Sequence, residues 1–127
     1  MSVTEYKLFD SSAWLALFYE SNESVKTVTE SKAILFTSVL SIFEIARKLL
    51  QWKTPESKVK DVMTFIKSRS IVIDIDNDIA EAAVKVSLTR KLGAIDALIY
   101  ATAVSLHALL ITGDHDFSGL PNTDVFA

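Results

Sequence analysis

The chain has no cysteine, which removes disulfides, thiol nucleophiles and cysteine-bound zinc or iron–sulfur centres, and points to the cytoplasm as compartment. Glycine is nearly as scarce. Gly93, Gly113 and Gly119 are the only three in 127 residues, and neither a dinucleotide fingerprint nor a phosphate-binding P-loop can be assembled from them. There is no excess of positive charge: 13 Lys and Arg against 16 Asp and Glu leave a formal charge of -3, so a polyanion must be held locally and not by the overall field. A membrane-spanning run is also missing. The nearest approach, Leu92 to Gly113, is interrupted by Asp96 and His107, and Met1 to Asp10 carries acids and a lysine where a leader needs a basic start and an apolar stretch. No internal repeat, low-complexity tract or Gly/Ser linker divides the chain.

What remains is a globular composition, 50% hydrophobic and 23% charged, in the length of one domain, so residues 1–127 are read as a single folding unit. Tyr6 to Phe9 predicts a short strand closed by Asp10, with Ser11 and Ser12 as caps for a helix over Ala13 to Tyr19. Ala33 to Thr37 predicts a second strand. Ser38 then caps a helix in which Val39, Ile42, Phe43, Ala46, Leu49 and Leu50 recur with helical period, and Thr54 and Pro55 end it. A helix from about Pro55 to Arg69 leads into the β-branched strand Ser70 to Ile75. Asp76 to Asp78 open the next helix, with Gly93 as its C-terminal cap. A helix from about Asp96 to His107, a strand Leu109 to Thr112 and a last short strand within Thr123 to Phe126 complete the order. Strands too apolar to have a wet face, alternating with helices, predict an α/β fold: a three-layer α/β/α sandwich around a mainly parallel sheet of four to five strands.

Ligands of such sheets bind beyond the carboxyl ends of the strands, and two strands here end in aspartate. Asp10 follows the first strand; Asp114 follows Leu109 to Thr112, with Asp116 two residues on. Asp96 is the only formally charged side chain between Lys91 and Asp114, and a carboxylate in apolar surroundings gains affinity for protons and cations. Each also has a plain structural reading, as helix caps for Asp10 and Asp96 and as turn chemistry for Asp114 and Asp116. Glu44 lies opposite the apolar stripe of its helix, where a solvated pair with Lys48 is one reading and the wall of a cleft the other. An oxygen-only set of this kind suits Mg²⁺ or Mn²⁺ and not zinc.

Phe9-Asp10-Ser11-Ser12-Ala13-Trp14-Leu15, Ser41-Ile42-Phe43-Glu44-Ile45, Ala94-Ile95-Asp96-Ala97-Leu98-Ile99 and Leu110-Ile111-Thr112-Gly113-Asp114-His115-Asp116-Phe117 resemble, in order and spacing, the PIN-domain ribonucleases, above all the VapC-type toxins of toxin–antitoxin pairs. The resemblance runs along essentially the whole chain. It implies that Asp10, Glu44, Asp96 and Asp114 surround one or two divalent metals, that Asp116 is an auxiliary acid, and that Ser12 and Thr112 orient the carboxylates. It also implies a metal-dependent endoribonuclease leaving 5′-phosphate and 3′-hydroxyl ends, a cognate antitoxin as partner and a symmetric homodimer. Among the basic residues, Arg47, one turn from Glu44, is favoured for substrate contact; Lys48, Lys53, Lys58, Lys60, Lys67 and Arg69 read as solvated helix faces. His107 reads as structural, and His115 as a turn residue able to touch substrate. Trp14, Tyr19 and Trp52 read as packing or interface residues in preference to stacking platforms. Two other classes compete. A phosphoacceptor receiver domain wants paired acids after its first strand and a lysine after its last core strand, neither of which is present. The alternative is a non-catalytic PIN-like module that binds RNA or protein.

Overall fold

Five short segments of the described residues form one sheet: β1 (Tyr6–Phe9), β2 (Ile34–Ser38), β3 (Ser70–Ile73), β4 (Leu109–Thr112) and β5 (Thr123–Val125). In this computed structural model, which describes residues 3–127, every strand pairing is parallel and the order across the sheet is β3-β2-β1-β4-β5. Met1 and Ser2, the start of the stretch read against a leader, lie outside the described residues. The chain winds outward from β1 through β2 to β3, then returns to the other side of β1 with β4 and β5. Strand order therefore reverses between β1 and β4, and a crevice opens beyond their carboxyl ends, where ligands of open α/β sheets bind.

Among the described residues six α-helices cover the sheet: α1 (Ser11–Tyr19), α2 (Glu23–Glu30), α3 (Val39–Gln51), α4 (Glu56–Arg69), α5 (Asn77–Arg90) and α6 (Ala94–Ser105). Side chains alternate across the strands, so successive residues serve opposite layers. Leu8 and Leu110 pack with Ile79, Ala83 and Ala97 of α5 and α6, whereas Phe9, Leu35 and Ile111 pack with Trp14, Ile45, Leu49 and Ile66 of α1, α3 and α4. The result is the α/β/α sandwich expected from strands with no wet face. Trp14 is fully buried, and its indole Nε1 donates to Thr37 Oγ1 at 3.1 Å while Thr37 donates to the Phe9 carbonyl at 2.8 Å, tying α1 and β2 to the end of β1. Among the described residues no helix is long and apolar enough to cross a membrane.

Five local expectations need correction. Helix α2, capped by Asn22 accepting from the Val25 N–H at 3.1 Å, falls where no element was expected. Gly93 is the N-cap of α6, not the C-cap of α5; α5 ends on Lys91, which takes the left-handed conformation itself at φ 55°. Helix α6 consequently starts at Ala94, and β3 stops at Ile73 in place of Ile75. The buried face of α3 is Ser41, Ile45 and Leu49, while Val39, Phe43 and Leu50 are exposed. At 100° per residue that face is rotated by about 100° from the predicted stripe, which brings Glu44 from the far side of the helix to its flank.

Candidate active site

Each acid reaches the crevice from a different element. Asp10 follows β1, Glu44 projects from α3, Asp96 sits in the first turn of α6 and Asp114 follows β4, and all four line one open cleft of about 620 Å³. Asp10 is buried and fully engaged. Its Oδ1 accepts from Ser12 Oγ at 2.6 Å and from the Ala13 N–H at 3.0 Å, and its Oδ2 accepts from Thr112 Oγ1 at 2.5 Å. The two hydroxyls are held in turn by the strand end opposite: Gly113 N–H donates to Ser12 Oγ at 2.8 Å and Asp114 N–H to Thr112 Oγ1 at 3.0 Å. Ser12 and Thr112 thus fix the Asp10 carboxylate and lock β1 to β4 at the reversal point. A Cβ on Gly113 would come within 2.9 Å of the Phe126 ring, which also lines the cleft, so the absence of a side chain there lets the carboxyl-terminal strand close against the site.

The structural and chemical readings of these acids coincide more than they compete. Asp10 caps α1, and Asp114 Oδ1 accepts from the Asp116 N–H at 2.9 Å to cap the short 3₁₀ turn His115–Phe117. Asp96 is different: Gly93 occupies the cap position without a side-chain hydrogen bond, and Asp96 stands inside the first turn. Capping therefore does not account for it. Oxygen atoms of Asp96, Asp114 and Asp116 approach within 4.8 Å of one another, and none of the three forms an ion pair among the described residues. Burial, followed by repulsion from Asp114, Glu44, Asp10 and Asp116, pushes the Asp96 carboxyl up to about 6. Burial also raises Asp10 and Glu44 above their ordinary values, against the lowering effect of the Ser12, Thr112 and Ala13 donors on Asp10 and of the Ser11 hydroxyl on Glu44. Carboxylates crowded in this way, with no ion pair to any of them among the described residues, lower their energy by taking up a cation. The donors are all oxygen, so they fit Mg²⁺ or Mn²⁺.

The PIN domain family profile matches residues 7–122. The chain belongs to the PIN domain family. Solved structures similar to this PIN domain include a toxin–antitoxin complex from Klebsiella pneumoniae, 26% identical with a TM-score of 0.75, covering 94% of this chain and 96% of that one. VapBC2 from Rickettsia felis, bound to a DNA fragment from its promoter, is 13% identical with a TM-score of 0.78 over 96% and 99% of the two chains. VapC20 from Mycobacterium tuberculosis, a sarcin-ricin loop cleaving toxin, is 19% identical with a TM-score of 0.70 over 90% and 94%. Curated protein sequences give no match.

Several residues of the PIN cleft escaped the sequence reading, Glu20 among them. Lys48 and Trp52 line it beside Glu44, whereas Arg47 lines a smaller groove of about 200 Å³ next to it that shares Glu44 and Lys48. No Glu44–Lys48 ion pair forms among the described residues; the Lys48 ammonium lies 5.9 Å from the centre of the Trp52 ring. The spacing 44, 48, 52 was the available signal, since residues four apart share a helix flank. His115 lines the cleft mouth and is exposed, while His107 lies just past α6, exposed and left-handed at φ 53°. Arg69 is not a free solvated cation: its guanidinium donates to the carbonyls of Thr29, Ser31 and Ala33 at 2.8, 3.2 and 3.1 Å.

Proposed function

We propose that this PIN domain is a Mg²⁺- or Mn²⁺-dependent endoribonuclease and the toxin of a toxin–antitoxin pair. The observation that carries the reading is the convergence of Asp10, Glu44, Asp96 and Asp114, from four separate elements, on one cleft of a PIN fold. Asp96 and Asp114 would hold the cation with Asp116 beside them, and Asp10 and Glu44 complete the acidic wall. A bound divalent ion supplies charge neutralisation at the phosphoryl oxygens and lowers the pKa of water. The remaining work falls to the chain. Ser12 and Thr112 keep the Asp10 carboxylate in one orientation, and the proton of the attacking water passes to the carboxylate of Asp96 or Asp114. Lys48, with Arg47 in the adjoining groove, offsets the acids as the phosphate backbone approaches. No nucleophilic side chain is required, which accords with products carrying 5′-phosphate and 3′-hydroxyl ends.

The toxin reading is supported by the Klebsiella and Rickettsia neighbours, which are toxin–antitoxin assemblies, and the RNA reading by the Mycobacterium one. We assign the partner as an antitoxin that covers the cleft, the active form as a homodimer in the cytoplasm, and residues 1–127 as one domain. The test is cleavage of single-stranded or looped RNA by the purified chain with Mn²⁺, with chelator, and in Asp96→Asn. Asparagine keeps the shape of the side chain while removing its charge, so the circular dichroism spectrum should be unchanged while the rate falls on the order of 10²–10⁴-fold. Because the acids act as a unit, adding Asp10→Asn to Asp96→Asn should lower the rate little further. Full activity of Asp96→Asn with metal present overturns the assignment; a wild-type chain that neither cuts RNA nor gains thermal stability from either cation is the non-catalytic module.

A further inference from the structure

We propose that Trp52, braced by Tyr19 and accompanied by Lys48, is a stacking platform for a base of single-stranded nucleic acid whose backbone enters the acidic cleft. This inference rests on the nuclease reading and adds to it a substrate subsite. Trp52 is 54% exposed and Tyr19 43%, in a chain whose other tryptophan, Trp14, is fully buried, so the pair does not belong to the core. The two rings meet nearly at right angles, 85°, with centroids 5.7 Å apart, an edge-on contact that fixes the indole plane while leaving much of its surface open. Trp52 lines the same cleft as the carboxylates, so an aromatic surface and the acids face one volume.

Its placement suits a nucleotide flanking the cleavage point. The Trp52 N–H still donates to the Lys48 carbonyl at 3.0 Å, so helical spacing continues to residue 52, and eight residues from Glu44 correspond to about 12 Å along the helix axis. A base on Trp52 therefore belongs to a neighbour of the nucleotide whose phosphate meets the acids. Between them stands Lys48, positioned against the indole ring and able to pair with an intervening phosphate. An indole beside an ammonium at the edge of a phosphate-directed cleft is the combination by which non-sequence-specific sites hold single strands: stacking tolerates any base and the cation follows the backbone. A folded duplex would not offer an unstacked base, so the subsite selects single-stranded or looped substrate.

The test uses the full chain carrying Asp96→Asn, so that substrate stays intact, titrated with a short oligoribonucleotide and with an abasic strand of equal charge, reading tryptophan fluorescence. Trp14 is buried, so a change reports Trp52. Stacking predicts quenching by the oligoribonucleotide and not by the abasic strand, an affinity loss of about 5- to 100-fold in Trp52→Ala, and retention of most of the affinity in Trp52→Phe. Lys48→Gln should lower the slope of log affinity against log salt by about 0.7. In the wild-type background, Trp52→Ala should raise KM and leave kcat nearly unchanged, which a purely structural role would not do. Equal affinity of Trp52→Ala and its parent for the oligoribonucleotide, alongside normal cleavage by the wild type, overturns the platform and leaves the nuclease reading intact. Failure of the parent to bind either strand, with no cleavage by the wild type, overturns both. A Trp52 emission change that follows protein concentration without any oligonucleotide makes this corner a protein interface and overturns the platform.

Discussion

Burial and the neighbouring carboxylates hold the Asp96 carboxyl at about 6, so between the ordinary 3.8 and that value the folded chain keeps a proton that the unfolded chain has released. Stability rises with pH only where the unfolded state binds more protons, and here the folded state does. The contribution of Asp96 to stability is therefore greatest below the ordinary value and is lost as pH rises through about 6, and the raised values of Asp10 and Glu44 act in the same direction. In the absence of divalent ions, the melting temperature of the wild type relative to Asp96→Asn should fall across this window and level off above it. Mg²⁺ or Mn²⁺ competes with the same protons, so its stabilising effect should be large near neutral pH and vanish at the acid end. A wild-type melting temperature that climbs relative to Asp96→Asn through the window contradicts the sign. That Asp96 is exceptional was legible in the sequence from its isolation in an apolar stretch. That it is no cap was not, because the start of α6 depends on which of two neighbouring positions ends α5.

Helix α2 shows why one element escaped the sequence. Its eight residues are too few for an independent helix, and Val25, Thr27, Val28 and Thr29 are β-branched. The Thr27 and Thr29 hydroxyls return to the carbonyls of Glu23 and Val25, both at 2.8 Å, and the support at its carboxyl end comes from Arg69, 40 positions beyond Thr29. No local pattern carries that information. Arg69→Met should cost about 2 kcal/mol in urea unfolding, the scale of hydrogen bonds to a charged group. Arg69→Lys should recover little of it, since an ammonium lacks the planar fork that reaches three carbonyls. A loss under about 0.5 kcal/mol, the scale of an ordinary surface change, would show that the guanidinium does not hold the helix. Lys91 and Gly93 tell a related story: the sequence signal for a left-handed helix end is glycine, but packing assigned that conformation to the lysine two residues earlier. On α3 the helical period is legible but the direction of its buried face is not, because the buried Ser41 does not register as apolar. That single rotation separates a solvated Glu44 from one in the cleft.

At the scale of the whole molecule, alternating apolar strands and helices were enough to announce a parallel sandwich, and the acids at strand ends marked its ligand-binding edge. The reversal of strand order between β1 and β4 is a long-range outcome of packing, and it is what turns separate acids into neighbours. Both faces of the sheet are covered, yet the outer surface of α5 and α6 keeps an apolar groove of about 280 Å³. Val84, 59% exposed, and Leu88, 75% exposed, border it with Ala80 and Leu98. Residues of this size cost little when scattered, but gathered around a groove they form the kind of patch that associates. The homodimer proposed above would bury this face against its symmetry mate, since a twofold axis presents the same patch to itself. Leu88→Glu should then convert the dimer to a monomer in sedimentation, with the circular dichroism spectrum unchanged, because a side chain so open in the single chain accepts a charge there at little cost and meets its own copy only in the dimer. A wild type that sediments as a monomer at every concentration refutes the dimer. A Leu88→Glu chain that still dimerises moves the interface elsewhere on the molecule.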